Sequence, residues 1–216
     1  MMYLFDINSV FFTVFHYPMS YIEFVGTVFT LACVVLTARA KVLSWPVGII
    51  GSVLYIFLFY QIQLYSDLFE QVYFLITGFI GWWAWTQAKK HNIEDKEFKI
   101  QKNSFQQNVV CVAIIFVGTT VLAYTMQNLH IWLPVVFPQP ASFPLLDSFT
   151  TVMSFTAQWL LVRRKVENWV LWIIIDIIGI WLYWIKGVRF VSIEYVLFFC
   201  IALYGLITWI KKFKNN

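Results

Sequence analysis

The stretch Glu167–Lys186, ENWVLWIIIDIIGIWLYWIK, constrains this chain more than any other. Between Trp169 and Ile185 its one charged residue is Asp176, set in the middle of a run close to the roughly 20 residues that cross a bilayer. On a helix, Asn168, Trp172, Asp176, Gly179 and Tyr183 recur at spacings of three and four and form one narrow stripe. Ile, Leu, Val and Trp cover the remaining surface. A carboxylate at mid-membrane is costly; it faces a cavity or a partner and marks a pathway or a ligand site. The plainer alternative is an Asp satisfied by neighbouring helices.

The remainder of the chain is built to match. Of its 216 residues 61% are hydrophobic and only 12% charged, and a soluble globule of that size has too little interior to hide so much apolar side chain. The expected class is therefore a single-domain, all-α polytopic membrane protein. Seven spans are predicted, at 20–38, 45–62, 67–88, 105–127, 146–162, 167–186 and 192–210. Residues 1–19 are apolar but too short to span, and lack the cations of a signal-peptide start; an interfacial or half-inserted helix is expected there. Residues 129–145, with Pro134, Pro138, Pro140 and Pro144, read as an ordered or re-entrant connection. Cys33, Cys111, Cys200 and the three histidines are scattered, so no metal, cofactor or redox role follows.

The cations orient the spans. With alternate links on one face, thirteen Lys and Arg fall on the side of the 39–44, 89–104 and 163–166 links and the 211–216 tail. The opposite side has only Lys186 and Arg189. By the positive-inside rule the C-terminus is cytoplasmic and the N-terminus outside. Because the charges sit between apolar runs, a net charge of +4 points to the lipid bilayer and not to nucleic acid. The aromatic ends GWWAWTQAKK and GLITWIKK read as interfacial anchors, and Trp45 and Trp169 as anchors or gates.

A shift of 124 residues reveals a repeat. It places Arg39 on Arg163, Lys41 on Lys165, Trp45 on Trp169, Glu70 on Glu194, Gly81 on Gly205 and Trp85 on Trp209 without a gap. Two units of three spans (20–88 and 146–210) share an orientation only if the fourth span, within the 89–145 connection, turns the chain back. A 3+1+3 parallel-repeat plan follows, of the kind in which transporters bind substrate near mid-membrane at the repeat interface. The span-6 stripe maps onto Gly48, Ser52, Tyr55 and Phe59, and the span-5 stripe Asp147, Thr151, Ser154, Gln158 onto Glu23, Thr27, Thr30 and Val34. The second unit is the more polar, so spans 5 and 6 are expected to hold the ligand. Gly48, Gly51 and Gly179 serve helix packing or leave room for it.

Asp6, Glu23, Asp67, Glu70, Asp147 and Glu194 lie at the outer ends of their segments, and Asp176 lies centrally. An acidic mouth leading to a buried carboxylate favours a cation. Neighbouring Trp and Tyr faces add cation–π attraction of about 0.5–2 kcal/mol. A small, flat, positively charged aromatic solute fits best, with polar groups for Gln158, Asn168 and Ser154. A phosphate-binding P-loop, HExxH, GxSxG and clustered Cys/His are all missing from the sequence, so an enzyme is not expected.

These residues resemble the PnuC-type nicotinamide riboside transporters. The matching blocks are WPVGIIGSVLYIFLFYQIQLYSD with EQVYFLITGFIGWWAW, and LDSFTTVMSFTAQWLLVRRKVENWVLWIIIDIIGIWLYWIKG with EYVLFFCIALYGLITW. The resemblance implies a full-length SWEET-like fold, a homotrimer in the bacterial inner membrane, and facilitated diffusion of nicotinamide riboside. Accumulation would then come from a separate cytoplasmic kinase. On this reading Trp172 and Tyr183 stack on the ring and Asp176 balances its charge. Gln158, Asn168 and Ser154 bond ribose or amide, while Ser52, Tyr55 and Gln71 close the site; Thr151 and Glu194 complete the set. Structural readings stand beside these: Asn168 as a helix cap, Gln71 as a bridge, Tyr183 nearer an outer gate. Thiamine, also a flat aromatic cation, and a non-transporting assembly subunit remain the alternatives.

Overall fold

A two-stranded hairpin and seven helices make up the regular structure of the described residues in the computed structural model, which are 5–14, 17–62, 65–91, 99–135, 143–185 and 189–215. Lys96 and Lys186 of the charge count, and Pro138 and Pro140, lie outside them. The helices are α1 (Tyr21–Ala38), α2 (Ser44–Gln61), α3 (Tyr65–His91), α4 (Phe105–Trp132), α5 (Pro144–Val162), α6 (Glu167–Ile185) and α7 (Arg189–Lys214). Five of them, α1, α2, α4, α6 and α7, are long and apolar enough to cross a membrane. By contrast, α3 and α5 carry more polar residues. Helix α5 turns Ser148, Ser154 and Thr156 inward among Met153, Ala157 and Leu160, so these three polar groups are interior ones.

The first correction concerns the N-terminus. Instead of an interfacial helix, Val10–Val14 (β1) and Tyr17–Ser20 (β2) pair antiparallel, with Val10 opposite Ser20 and Val14 opposite Tyr17. The run VFFTV is β-branched and aromatic, which suits a strand, and Pro18 removes a helix donor. Gln61 at the end of α2 ties down the approach to the hairpin. Its amide donates to the Phe5 carbonyl (2.7 Å), and its Oε1 accepts from the Ile7 amide (3.1 Å). Ser20 then caps α1, its hydroxyl accepting from the Glu23 amide at 3.3 Å. A second correction lies in the Pro-containing connection, where α4 stays helical to Trp132, just short of Pro134.

Helix α1 packs on α2 and α2 on α3, just as α5 packs on α6 and α6 on α7. The halves join through α3 on α5 and α7 on α1, and α4 lies against α5. The turns after α1 and α5 are built alike, bond for bond, at the spacing of 124. The Lys41 amide donates to the Leu36 carbonyl and the Lys165 amide to Leu160, both at 2.9 Å. Ala40 and Arg164 both occupy the left-handed region, with φ of 57° and 58°. A side chain in that region costs roughly 1 kcal/mol. Ala40→Gly is therefore expected to raise stability by about that much, read as a higher unfolding temperature of the detergent-solubilised protein.

Both turns meet at one end, hereafter the basic end, over a core of four tryptophans. Trp45 meets Trp85 edge-on (5.2 Å, 87°) and Trp169 meets Trp209 likewise (5.7 Å, 83°). Trp85 and Trp209 close the cluster at 6.0 Å. Each of these donates its indole N–H to the other half: Trp85 to the Val162 carbonyl (3.2 Å) and Trp209 to that of Thr37 (3.1 Å). Trp45 and Trp169 press onto Gly81 and Gly205, where any Cβ would strike the indole. The expectation of interfacial anchors is thus corrected for all four, which are buried. Trp82 and Trp83 are the exposed rings of that segment.

Candidate functional site

Asp176 sits half-way along α6 and is 5% exposed, with its carboxylate turned into the bundle. Among the described residues it accepts no hydrogen bond and pairs with no cation. Gly179, three residues on, admits the Tyr195 ring of α7 against the α6 backbone. Tyr195 in turn stacks on Tyr183 (5.4 Å, 19°), so the aromatic pair stands over the side of Asp176 away from the basic end. Asp176, Glu70 and Asp67 all lie within electrostatic reach of Tyr195.

On the other side of Asp176, Trp172 is half-buried and meets Phe74 of α3 edge-on at 6.2 Å. Helix α3 also faces α5 here. The Gln158 amide donates to the Thr77 hydroxyl (3.3 Å), the Tyr73 hydroxyl donates to the Phe155 carbonyl (3.0 Å), and Glu70 reaches the Ser154 hydroxyl. A matching set joins the halves on the opposite flank. Thr27 of α1 donates to Glu194 of α7 (3.0 Å), and its oxygen lies 3.0 Å from the Tyr55 hydroxyl. Glu70 and Glu194 are partners in the 124-residue repeat, and each meets a hydroxyl of the other half.

The structure gathers Trp172, Asp176, Ser154, Gln158, Tyr183, Tyr55 and Glu194 onto inward contacts of α2, α5, α6 and α7. Ser52 is buried on α2 and Thr151 half-buried on α5; neither makes a hydrogen bond among the described residues. Gln71 is half-buried on α3, likewise without one. Asn168 stands apart. It lies in the first turn of α6, about 12 Å along the helix from Asp176, where its side-chain amide donates back to the Lys165 carbonyl of the α5–α6 turn. That geometry is a turn cap. Thr77, Phe74, Tyr73 and Tyr195 belong to the same neighbourhood but stood outside the candidate set. Glu70 could have joined it through its identity with Glu194 in the repeat, whereas the seat of Tyr195 on Gly179 leaves no trace in spacing.

At the hairpin end, the Tyr17 hydroxyl donates to Glu23 at 2.6 Å. Burial first, then this carboxylate, push the Tyr17 phenol well above its ordinary value, so Tyr17 stays a protonated donor.

Residues 20–211 match the nicotinamide mononucleotide transporter family. The chain belongs to that family. Among its relatives is the nicotinamide riboside transporter PnuC of Escherichia coli, 36% identical over 93% of this chain and 89% of that one. The riboflavin/roseoflavin transporter RibM of Streptomyces davaonensis is 22% identical over 97% of this chain and 94% of its own. A crystal structure of the vitamin B3 transporter PnuC superimposes with a TM-score of 0.69 at 26% identity, covering 90% of this chain and 83% of the other. Membership of the nicotinamide mononucleotide transporter family makes this chain a multi-pass membrane transporter, not an enzyme.

Proposed function

We propose that this chain carries nicotinamide riboside across the bacterial inner membrane by facilitated diffusion, with a separate cytoplasmic kinase trapping the product. The observation that carries this reading is Asp176: a buried carboxylate without a cation or a hydrogen bond among the described residues, one turn from Trp172. Nicotinamide riboside brings a flat pyridinium cation for that charge, a ring for Trp172 and Tyr183, and a carboxamide and hydroxyls. Gln158, Ser154, Thr151, Ser52, Tyr55, Gln71 and Glu194 are the groups assigned to bond them, while Asn168 caps the turn at the basic end. The E. coli relative named for this substrate supports the choice.

The architecture assigned to it is a pair of like-oriented three-helix units joined by α4, with seven crossings. Turns bonded alike at a spacing of 124 and reciprocal indole bonds from Trp85 and Trp209 support that plan, and the thirteen-to-two distribution of cations supports a cytoplasmic basic end. A trimer in the membrane is part of the same proposal.

RibM favours a second reading, in which the site accepts another flat vitamin. Riboflavin is uncharged, so the buried acid argues against it, while thiamine shares the charge of nicotinamide riboside. Proteoliposomes settle the matter: the protein is expected to equilibrate labelled nicotinamide riboside without ATP or an ion gradient, ahead of thiamine and riboflavin. Trp172→Ala should weaken uptake roughly tenfold, in line with a lost cation–π and stacking contact of ~0.5–2 kcal/mol. Retention of full uptake by that variant, or faster thiamine entry, defeats the assignment.

A further inference from the structure

The two turns at the basic end share their internal bonding but not their fastening. The segment Ile100–Ser104 runs beneath the α5–α6 turn. There the Gln101 amide donates to the Arg164 carbonyl and the Val166 amide to the Gln101 carbonyl, both at 2.9 Å. The Asn103 amide donates to Glu167 Oε1 at 3.0 Å, and Ile100, 3% exposed, enters the tryptophan cluster. Among the described residues no segment bonds in this way to the backbone from Ala40 to Leu43 of the α1–α2 turn. Val166 is buried, whereas its repeat partner Val42 is only half-buried.

The two cross-half indole bonds therefore end on unlike supports. Trp85 holds the strapped turn through Val162; Trp209 holds, through Thr37, the turn that has no such strap among the described residues. Moving the α5–α6 turn breaks the Trp85 bond and four strap bonds as well, the fourth donated by Lys165 Nζ to the Lys102 carbonyl at 3.3 Å. Among the described residues, moving the α1–α2 turn breaks the Trp209 hydrogen bond alone. The indole N–H groups of Trp45 and Trp169 are buried without a partner, so an opened cluster gives both donors access to water.

We propose that the tryptophan cluster is a gate, shut in this structure, that opens on one side. The α1–α2 turn swings away with Trp45 while the 100–104 strap keeps the α5–α6 turn in place. The inference rests on the transport reading, since a gate presupposes a path.

Two measurements test it. In hydrogen exchange on the wild-type protein, the amides of Lys41 and Ser44 should exchange faster than those of Lys165 and Asn168. Their own bonds are alike, so a purely local account expects equal protection. The second uses a cysteine reporter, Val34→Cys, placed one turn inside the cluster in a background without the native cysteines. Trp209→Phe should speed its labelling by an impermeant maleimide from the basic side by about fivefold, the population shift of one lost hydrogen bond. Trp85→Phe should change it little, and Gln101→Pro, which deletes a strap donor, should make the two variants alike. Equal exchange of the two turns, or equal labelling with Trp85→Phe and Trp209→Phe in the intact strap, overturns the one-sided gate. Absent uptake by wild-type proteoliposomes, with both asymmetries present, would defeat the transport reading and leave the moving turn standing.

Discussion

Asp176→Asn is expected to lower uptake of nicotinamide riboside by about a hundredfold while leaving the protein as stable as before, or more so. The amide keeps the shape and removes the charge. Opposite charges about 5 Å apart at an effective dielectric constant near 20 attract by ~3 kcal/mol, and each 1.4 kcal/mol is a factor of ten. No described cation or donor compensates the carboxylate, so removing its charge relieves the fold of a buried charge. Uptake and thermal unfolding therefore move independently. Competition by the uncharged dihydro form of the nucleoside should be unaffected, since it never used that charge. A variant that transports normally would remove Asp176 from the site; one that unfolds early would make the residue structural.

Gly179→Ala carries the second large effect. A Cβ at this position lands on the Tyr195 ring well inside van der Waals contact. The ring has no easy retreat, because Tyr183 is stacked on it and Phe198 meets its edge at 6.3 Å. Overpacking of this kind costs about 1–3 kcal/mol. The unfolding temperature should fall, and uptake should drop about tenfold as the ring beside Asp176 is displaced. Tyr195→Leu alone should cost less stability, and adding it to Gly179→Ala should recover part of the loss, because residues in contact are coupled. A simple sum of the two single effects would mean that the ring and the glycine are independent.

Much of the bundle was legible because its signals are local. Apolar runs marked each helix to within five residues of its observed ends, since burying backbone amides in lipid demands helix. The N-terminal hairpin was missed for the complementary reason. Counting apolar residues in the first segment hid the β-branched and aromatic character of VFFTV and the effect of Pro18. The tryptophans at the basic end misled in another way. A Trp beside lysines reads as an anchor at the water boundary, and only a glycine on a facing helix, Gly81 or Gly205, shows that the ring has somewhere to go. Asn168 was placed on the stripe by its spacing, yet the stripe runs far enough along α6 that its first member lies in the first turn of the helix, capping the preceding turn.

By itself the sequence determined the class of protein, the helix positions and the repeat of 124 residues, because hydropathy and helical period act over one or two turns of chain. The inward position of Asp176 was also readable, as no other environment accepts a carboxylate in so apolar a helix. Only the tertiary structure decided which side chains meet: Thr27 with Glu194, Trp209 with Thr37, Tyr195 on Gly179, and the 100–104 strap beneath one turn and not the other. These are contacts between residues up to 172 positions apart, set by how whole helices pack, and no periodicity within a single segment encodes them.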